Sequence, residues 1–364
     1  MIRRTCWTLV SLFVVVTSSR GTLAENPGRR ESMPPVLLQM MRDDAVHEEL
    51  KLSDSQIGQV ETALRQVDGD WFLSRNFPAD KQAAKVSELT VVLDQSLRSI
   101  LDETQLQRRR QLERQALGTR MVLREDVREG LELTEGQISR FRATFAKTRR
   151  ETAAIQADLK EKKLEPAAAQ QKLNSLRQAE QESVVGALTD VQRGRLGSLT
   201  GPTFDFSQVR RSLPSAPEFS ADGMTWIQGG PVKLDDLRGK VVAVHFYAYQ
   251  CINCIQNLPH YSAWHDDYES DGLVVIGIQS PETASERNPN RVAAAVKEKQ
   301  IRYPVALDLD MTNWKAWGTT MWPSVYLVDK KGYVRKWWYG EMNWQGTEGE
   351  KQMRQTIEML LAED

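Results

Sequence analysis

The stretch HFYAYQCINCIQNLP, residues 245–259, places Cys251 and Cys254 in a CxxC arrangement. The chain of 364 residues has 3 cysteines, and the third is Cys6. VVAVHF before the pair reads as a strand, and the residues after it suit a helix as far as Pro259. A cysteine at a helix start meets unpaired N–H groups and the positive end of the helix dipole. Both favour the thiolate, which is the reactive form. A second cysteine three residues on lies one turn away, as dithiol–disulfide exchange requires: one thiolate attacks and its neighbour resolves the mixed disulfide. Zinc is an alternative, but a structural site wants four ligands. The chain has 4 His and no second cysteine pair, so His260 and His265 would have to complete the set across Pro259. A purely structural disulfide is another alternative, although closing so short a loop restrains the unfolded chain little.

Further candidates lie around the pair. GLVVIGI, beginning at Gly272, is expected to run parallel to VVAVHF through a crossover helix. Pro281 and Glu282 at its C-terminal end then share the sheet edge of Cys251, the edge where α/β sheets place their sites. Glu282 is a candidate for proton transfer, against the commoner reading of a solvated loop carboxylate. Tyr247 and Tyr249 are either packing aromatics or substrate contacts. The run KWWYGEMNW, residues 336–344, covers a core edge or forms a protein-binding patch.

The elements that would hold these residues fall into two compositions. From about Phe219, short β-rich runs such as KVVAVHFYA, GLVVIGI and SVYLVD alternate with helical stretches, which implies an α/β sheet. Residues 36–200 read as helix throughout, with Ile57, Val60, Leu64 and Val67 at helical spacing. Residues 201–216, with Pro202 and Pro214, read as a linker, leaving residues 217–364 for the α/β part. The helical region contains a repeat: LSDSQ at Leu52, LDETQ at Leu101, LTEGQ at Leu133 and LTDVQ at Leu188. The order A, B, A, B suggests a duplicated helical unit. Each motif is a capping box, with Ser53, Asp102, Thr134 or Thr189 followed three residues later by Gln. Leu52 with Ile57, Leu101 with Leu106, and Leu133 with Ile138 fit the accompanying hydrophobic staple; Arg193 does not fit Leu188.

The N-terminus, MIRRTCWTLVSLFVVVTSSRGTLAE, reads as a secretory signal peptide over residues 1–24, cleaved after Ala24. An uncleaved membrane anchor is the alternative, although the apolar run is short for a span. Cleavage removes Cys6 and leaves the CxxC pair in a periplasmic or otherwise exported chain, where disulfides persist. The net charge of -1, with 27% charged residues, gives no reason to expect nucleic acid or an anionic membrane as partner. Long amphipathic helices make a homodimer through the helical region plausible.

CINCIQNLPHYSAWHDDYESDGLVVIGI, followed by YPVALDLD and WPSVYLVDKKGYV, resembles the TlpA, ResA and DipZ group of exported thiol–disulfide oxidoreductases. The group sits within the AhpC/TSA–redoxin superfamily, and the likeness covers most of residues 215–364. It implies an α/β thioredoxin-fold C-terminal domain after the all-α N-terminal region. It also implies Cys251 as nucleophile, Cys254 as resolving cysteine, and a cis Trp322–Pro323 bond beside which a substrate backbone docks. The implied partners are protein thiols and disulfides and a membrane electron donor or acceptor. No metal or organic cofactor is implied, because the Cys251–Cys254 pair carries the electrons. Two departures stand out. His245 occupies the position, six before the first cysteine, where thioredoxins usually bury an acid. It either handles the same proton or is a buried neutral His held by hydrogen bonds. Ile-Asn replaces the thioredoxin Gly-Pro between the cysteines. A thiol peroxidase is a rival within the superfamily, but the Pro and Thr that peroxiredoxins place upstream of the cysteine are missing from HFYAYQC. The helical repeat is similar to the LTxxQ motif of the Spy and CpxP periplasmic proteins. That implies an alternative function, a protein-binding or chaperone-like module in which the helical half does the work.

Overall fold

A computed structural model describes residues 34–161 and 163–363. The segment read as a signal peptide, its expected cleavage site and Cys6 lie outside the described residues. The helical region comprises α1 (Val36–Met40), α2 (Asp44–Glu49), α3 (Asp54–Ser74), α4 (Ala79–Ile100), α5 (Glu103–Leu117), α6 (Glu125–Gly130), α7 (Glu135–Lys160), α8 (Pro166–Gly186) and α9 (Asp190–Thr200). The apolar spacing along α3 marks its inner face: Val60, Leu64 and Val67 are buried. Among the described residues no helix is long and apolar enough to cross a membrane.

The four LTxxQ-type motifs start α3, α5, α7 and α9. The Gln56, Gln105, Gln137 and Gln192 side chains each accept from the backbone N–H of their own cap residue. Ser53, Asp102, Thr134 and Thr189 accept in turn from the glutamine N–H, closing four capping boxes. The glutamines have a second use. Gln56 Nε2 donates to Gln105 at 2.8 Å and Gln105 Nε2 donates back at 3.2 Å. Gln137 and Gln192 repeat this at 2.8 and 3.2 Å. Each amide also reaches a carbonyl just ahead of the partner motif: Ile100, Lys51, Ala187 and Leu131. The A and B motifs are therefore clasped in pairs, the start of α3 with that of α5 and the start of α7 with that of α9. Lys51 and Glu132, at matching places in the two copies, both take left-handed backbone conformations at φ 52° and 51°.

The second part carries β1 (Met224–Gln228), β2 (Val241–Tyr247), α10 (Ile252–Tyr268), β3 (Leu273–Gln279), α11 (Pro289–Glu298), β4 (Val305–Asp308), α12 (Thr312–Ala316), β5 (Ser324–Val328), β6 (Val334–Tyr339) and α13 (Gly349–Leu361). The sheet order is β1-β4-β3-β2-β5-β6. Strands β2, β3 and β4 are parallel; β1, β5 and β6 join antiparallel. Strand β2 is buried along its whole length, as expected of a central strand covered on both faces. Val241, Ala243 and Tyr247 pack with Leu258 and Trp264 of α10 and with Met353 and Ile357 of α13. Val242, Val244 and Phe246 pack on the other face with Trp317 and Tyr326. This is the thioredoxin-like sheet that the sequence implied.

Packing divides the chain differently from composition. One compact unit takes in Asp44–Gln56 and Leu97–Arg210; the other takes in Leu38–Asp43, Ile57–Ser96 and Arg211–Asp364. Within the sheet-bearing unit, Phe72 of α3 is buried among Val244, Phe246, Trp317 and Tyr326. Asp68 pairs with Arg42 at 3.0 Å and accepts from the Ser215 backbone at 2.9 Å. Arg211 pairs with Asp329 at 3.0 Å, and both are buried. The segment read as a linker from its prolines is thus anchored from residue 211 onward, and the hairpin α3–α4 belongs largely with the sheet. Composition could not report this, because the apolar face of α3 looks the same whatever it covers.

Candidate functional site

Strand β2 ends at Tyr247, and the chain turns through Ala248–Gln250 to start α10. Cys251 is the N-cap residue of that helix, and its N–H donates to Ala248 O at 3.1 Å. It is half-buried. Cys254, in the first turn, is fully buried, and both cysteines are free thiols. Burial pushes the Cys254 thiol far above its ordinary range; its hydrogen bond with Cys251 and the charge there push the same way. Between them, Ile252 is 65% exposed. The helix does not stop at Pro259, where the sequence suggested an end, but continues to Tyr268 with the proline inside it. Tertiary bonds hold the preceding turn: Asn257 Nδ2 donates to Tyr261 Oη at 3.2 Å and to Gly340 O at 3.1 Å. Its Oδ1 accepts from Met342 N at 3.0 Å.

His245 is completely buried, and burial lowers its pKa to about 3, so the ring is neutral. Neither ring nitrogen has a hydrogen-bond partner among the described residues. The ring stacks on Tyr261 at 4.1 Å, with Tyr247 at 5.0 Å and Tyr303 edge-on at 5.4 Å. The buried neutral state matches one of the two expectations; the hydrogen bonds expected to hold it are replaced by aromatic contacts. Gly277 lies opposite, where a Cβ would approach His245 Nε2 to 3.0 Å. Tyr247 points into the same core and is 1% exposed, so it packs beneath the cysteines and offers no surface to a substrate. Tyr249 is half-buried, and its hydroxyl donates to Ser285 O at 3.4 Å.

Glu282 follows β3 on the edge that carries Cys251, as the parallel pairing of Tyr247 with Gln279 requires. It is exposed, and its charge reaches Cys254. The neighbouring Glu286, which sequence reasoning passed over, is the acid buried at this site. Its carboxylate accepts from Gln250 N at 2.8 Å, Glu282 N at 2.8 Å and Thr283 N at 2.9 Å. It thereby ties the residue before Cys251 to the loop after β3. Gln250 reinforces the tie by accepting from Thr283 and Ser285 hydroxyls. The Trp322–Pro323 peptide is cis. Pro323 is buried, and Trp322 stacks near Trp314 at 4.2 Å and donates through Nε1 to Ser280 O at 2.9 Å. Trp322 and Cys251 pack against the same core cluster. In the aromatic run, Trp337, Trp338 and Tyr339 pack against the core faces, while Trp344 is 56% exposed. Among the described residues no cluster of His, Cys, Asp and Glu is arranged to hold a metal ion.

The C-terminal part of the chain is similar to known proteins. Residues 214–337 match the AhpC/TSA family. Protein DipZ of Mycobacterium bovis is 34% identical over 186 residues, which are 50% of this chain and 26% of DipZ. Thiol-disulfide oxidoreductase ResA of Bacillus cereus is 29% identical over 119 residues, 33% of this chain and 64% of ResA. The chain therefore spans about a quarter of DipZ and somewhat under two thirds of ResA. A crystal structure of a thiol-disulfide isomerase from Corynebacterium glutamicum, 26% identical, covers 41% of this chain and 98% of its own, with a TM-score of 0.35.

Proposed function

We propose that this chain, whose C-terminal part is an AhpC/TSA-type domain similar to DipZ and ResA, is an exported thiol–disulfide oxidoreductase acting on protein substrates. The observation that carries the proposal is the asymmetry of the two thiols. Cys251 is accessible at the N-cap of α10, while Cys254 sits one turn behind it, buried and holding its proton. That arrangement supports an order. The Cys251 thiolate attacks one sulfur of a substrate disulfide. A Cys251–substrate bond forms, the substrate S–S bond breaks, and the second substrate sulfur leaves with the electron pair. Cys254 then loses its proton and attacks Cys251, releasing the first substrate sulfur. The substrate gains two electrons and the dithiol becomes a disulfide; the reverse sequence oxidises a substrate dithiol.

The second step needs a proton acceptor for Cys254. His245, held neutral with a pKa of about 3, is a poor one at neutral pH. Glu282 is exposed, and its charge is felt at Cys254; it takes the proton out to solvent in this reading. Trp322 and Pro323 form the wall against which the substrate backbone lies. The four repeated glutamines of the helical region are bonded in caps and clasps.

The test is trapping in cells. Cys254→Ser should accumulate mixed disulfides through Cys251, and Cys251→Ser should lose exchange altogether. If Cys254→Ser traps no protein, the assigned roles are wrong. Equilibrating the pair in glutathione buffers then gives the direction of electron flow. A potential near about −270 mV marks a reductant, which needs an electron donor at the membrane, and one near about −120 mV an oxidant.

A further inference from the structure

We infer that the turn between α3 and α4 acts at a distance from the dithiol, with Arg75 and Asn76 as positioning residues for the loop that ends in Pro323. This inference rests on the proposed exchange reaction and adds to it a specificity role for a helical segment outside the thioredoxin-like sheet.

The observations lie within one compact unit. The Arg75 guanidinium closes over the Phe72 ring at 3.6 Å and donates to Trp317 O at 2.5 Å and Gly318 O at 3.1 Å. It also donates to the hydroxyls of Tyr326 and Tyr339, each at 3.3 Å. Asn76 Nδ2 donates to Gly318 O at 2.7 Å. Gly318 has φ +56°, and a Cβ there would meet Arg75 and Asn76 nitrogens at 3.0 Å, so the glycine lets the two side chains close on its carbonyl. These are charge-assisted or well-formed bonds to main-chain carbonyls, and they fix the backbone at residues 317–318.

From that anchor the chain runs only as far as Met321, Trp322 and Pro323. The far end of the loop is held by Trp322 Nε1 on Ser280 O, and Ser280 N in turn bonds Tyr247 O at the end of β2. The loop is thus suspended between the α3–α4 turn and the strand end that leads into Cys251. It presents Met321 at 46% exposed, and Ile252 beside Cys251 is 65% exposed. Ile252 follows the reactive sulfur, and Met321 precedes Trp322, which packs against the same cluster as Cys251. Two exposed apolar side chains so placed suit an extended protein segment with an apolar residue next to its cysteine. A small hydrophilic disulfide would use neither.

The experiment compares a protein disulfide with a small one on the full-length chain, using insulin and a small hydrophilic disulfide, bis(2-hydroxyethyl) disulfide, as probes. Arg75→Ala should raise KM for insulin about tenfold, the factor that corresponds to ~1.4 kcal/mol, with little change in kcat. Exchange with the small disulfide and the reduction potential should stay at wild-type values, and Arg75→Lys should recover part of the loss. Asn76→Ala, at an exposed position, should give the same pattern at smaller amplitude and decides the matter if Arg75→Ala does not fold. Equal losses with both probes, or no loss with insulin, overturn the inference. Wild-type protein that exchanges with no protein disulfide overturns instead the reaction on which it rests.

Discussion

At the residue scale, the environment of the dithiol is set by groups that do not themselves react. His245 is the clearest case. Its folded pKa, about 3, lies below the ordinary value of 6.5, so the unfolded chain binds the extra proton first. Stability from this group is fully present above about pH 6.5 and is lost as pH falls toward 3, by an amount on the order of 3–5 kcal/mol at the acid end. His245→Phe should flatten the acid limb of a stability–pH curve, read by urea denaturation between pH 4 and 7, more than any change at neutral pH. Glu286 makes a different kind of contribution. Glu286→Ala would leave three backbone N–H groups without their acceptor. Because Gln250, Glu282 and Thr283 are exposed, water takes over part of the bonding and the loss is on the order of 1 kcal/mol each or less. Hydrogen exchange should accelerate at Gln250, Glu282 and Thr283 ahead of the rest of the sheet. The cysteines were legible in the sequence because their chemistry depends on spacing along one helix turn. Glu286 was not, since backbone amides from two loops leave no pattern in side-chain identities, and the exposed Glu282 nearby carried the more visible signal.

At the element scale, the LTxxQ-type motifs do two jobs with one amide. The capping box was readable from four letters, and all four boxes form. The clasp between glutamines was not readable, because its partners are separated by about fifty residues of helix: 49 between Gln56 and Gln105, and 55 between Gln137 and Gln192. A double-mutant cycle on Gln137→Ala and Gln192→Ala should give a coupling of about 0.5–1 kcal/mol, whereas independent caps would give none. Lys51 and Glu132 offer the opposite test. Both hold left-handed backbone without being glycine, which costs roughly 1 kcal/mol. Lys51→Gly should therefore raise the melting temperature, even though a mid-helix glycine would lower it. The continuation of α10 through Pro259 shows where a local rule gave way: the lost N–H is one bond, while Asn257 and the core beneath the helix supply several contacts.

At the scale of the whole molecule, the sheet-bearing unit is discontinuous. It collects Leu38–Asp43 and Ile57–Ser96 before the main segment begins at Arg211. A fragment starting at residue 211 would expose the site that Phe72 fills and would leave the Arg75 partners without their donor. It would also strip Ser215 of its bond to Asp68. Such a fragment should bind a hydrophobic dye and show little near-ultraviolet dichroism, while a version carrying residues 38–96 in trans or fused should regain it. Native behaviour of the isolated fragment would show that the α3–α4 hairpin is dispensable to the fold. The discontinuity also bears on how the chain is made. The hairpin leaves the ribosome well over a hundred residues before the strands it covers, and Phe72 cannot be sequestered until Tyr326 and Trp337 have followed. Contacts so distant in sequence close slowly. Throughout synthesis the nascent chain therefore carries an amphipathic helix in search of a surface not yet built. Until then its apolar face is open to aggregation.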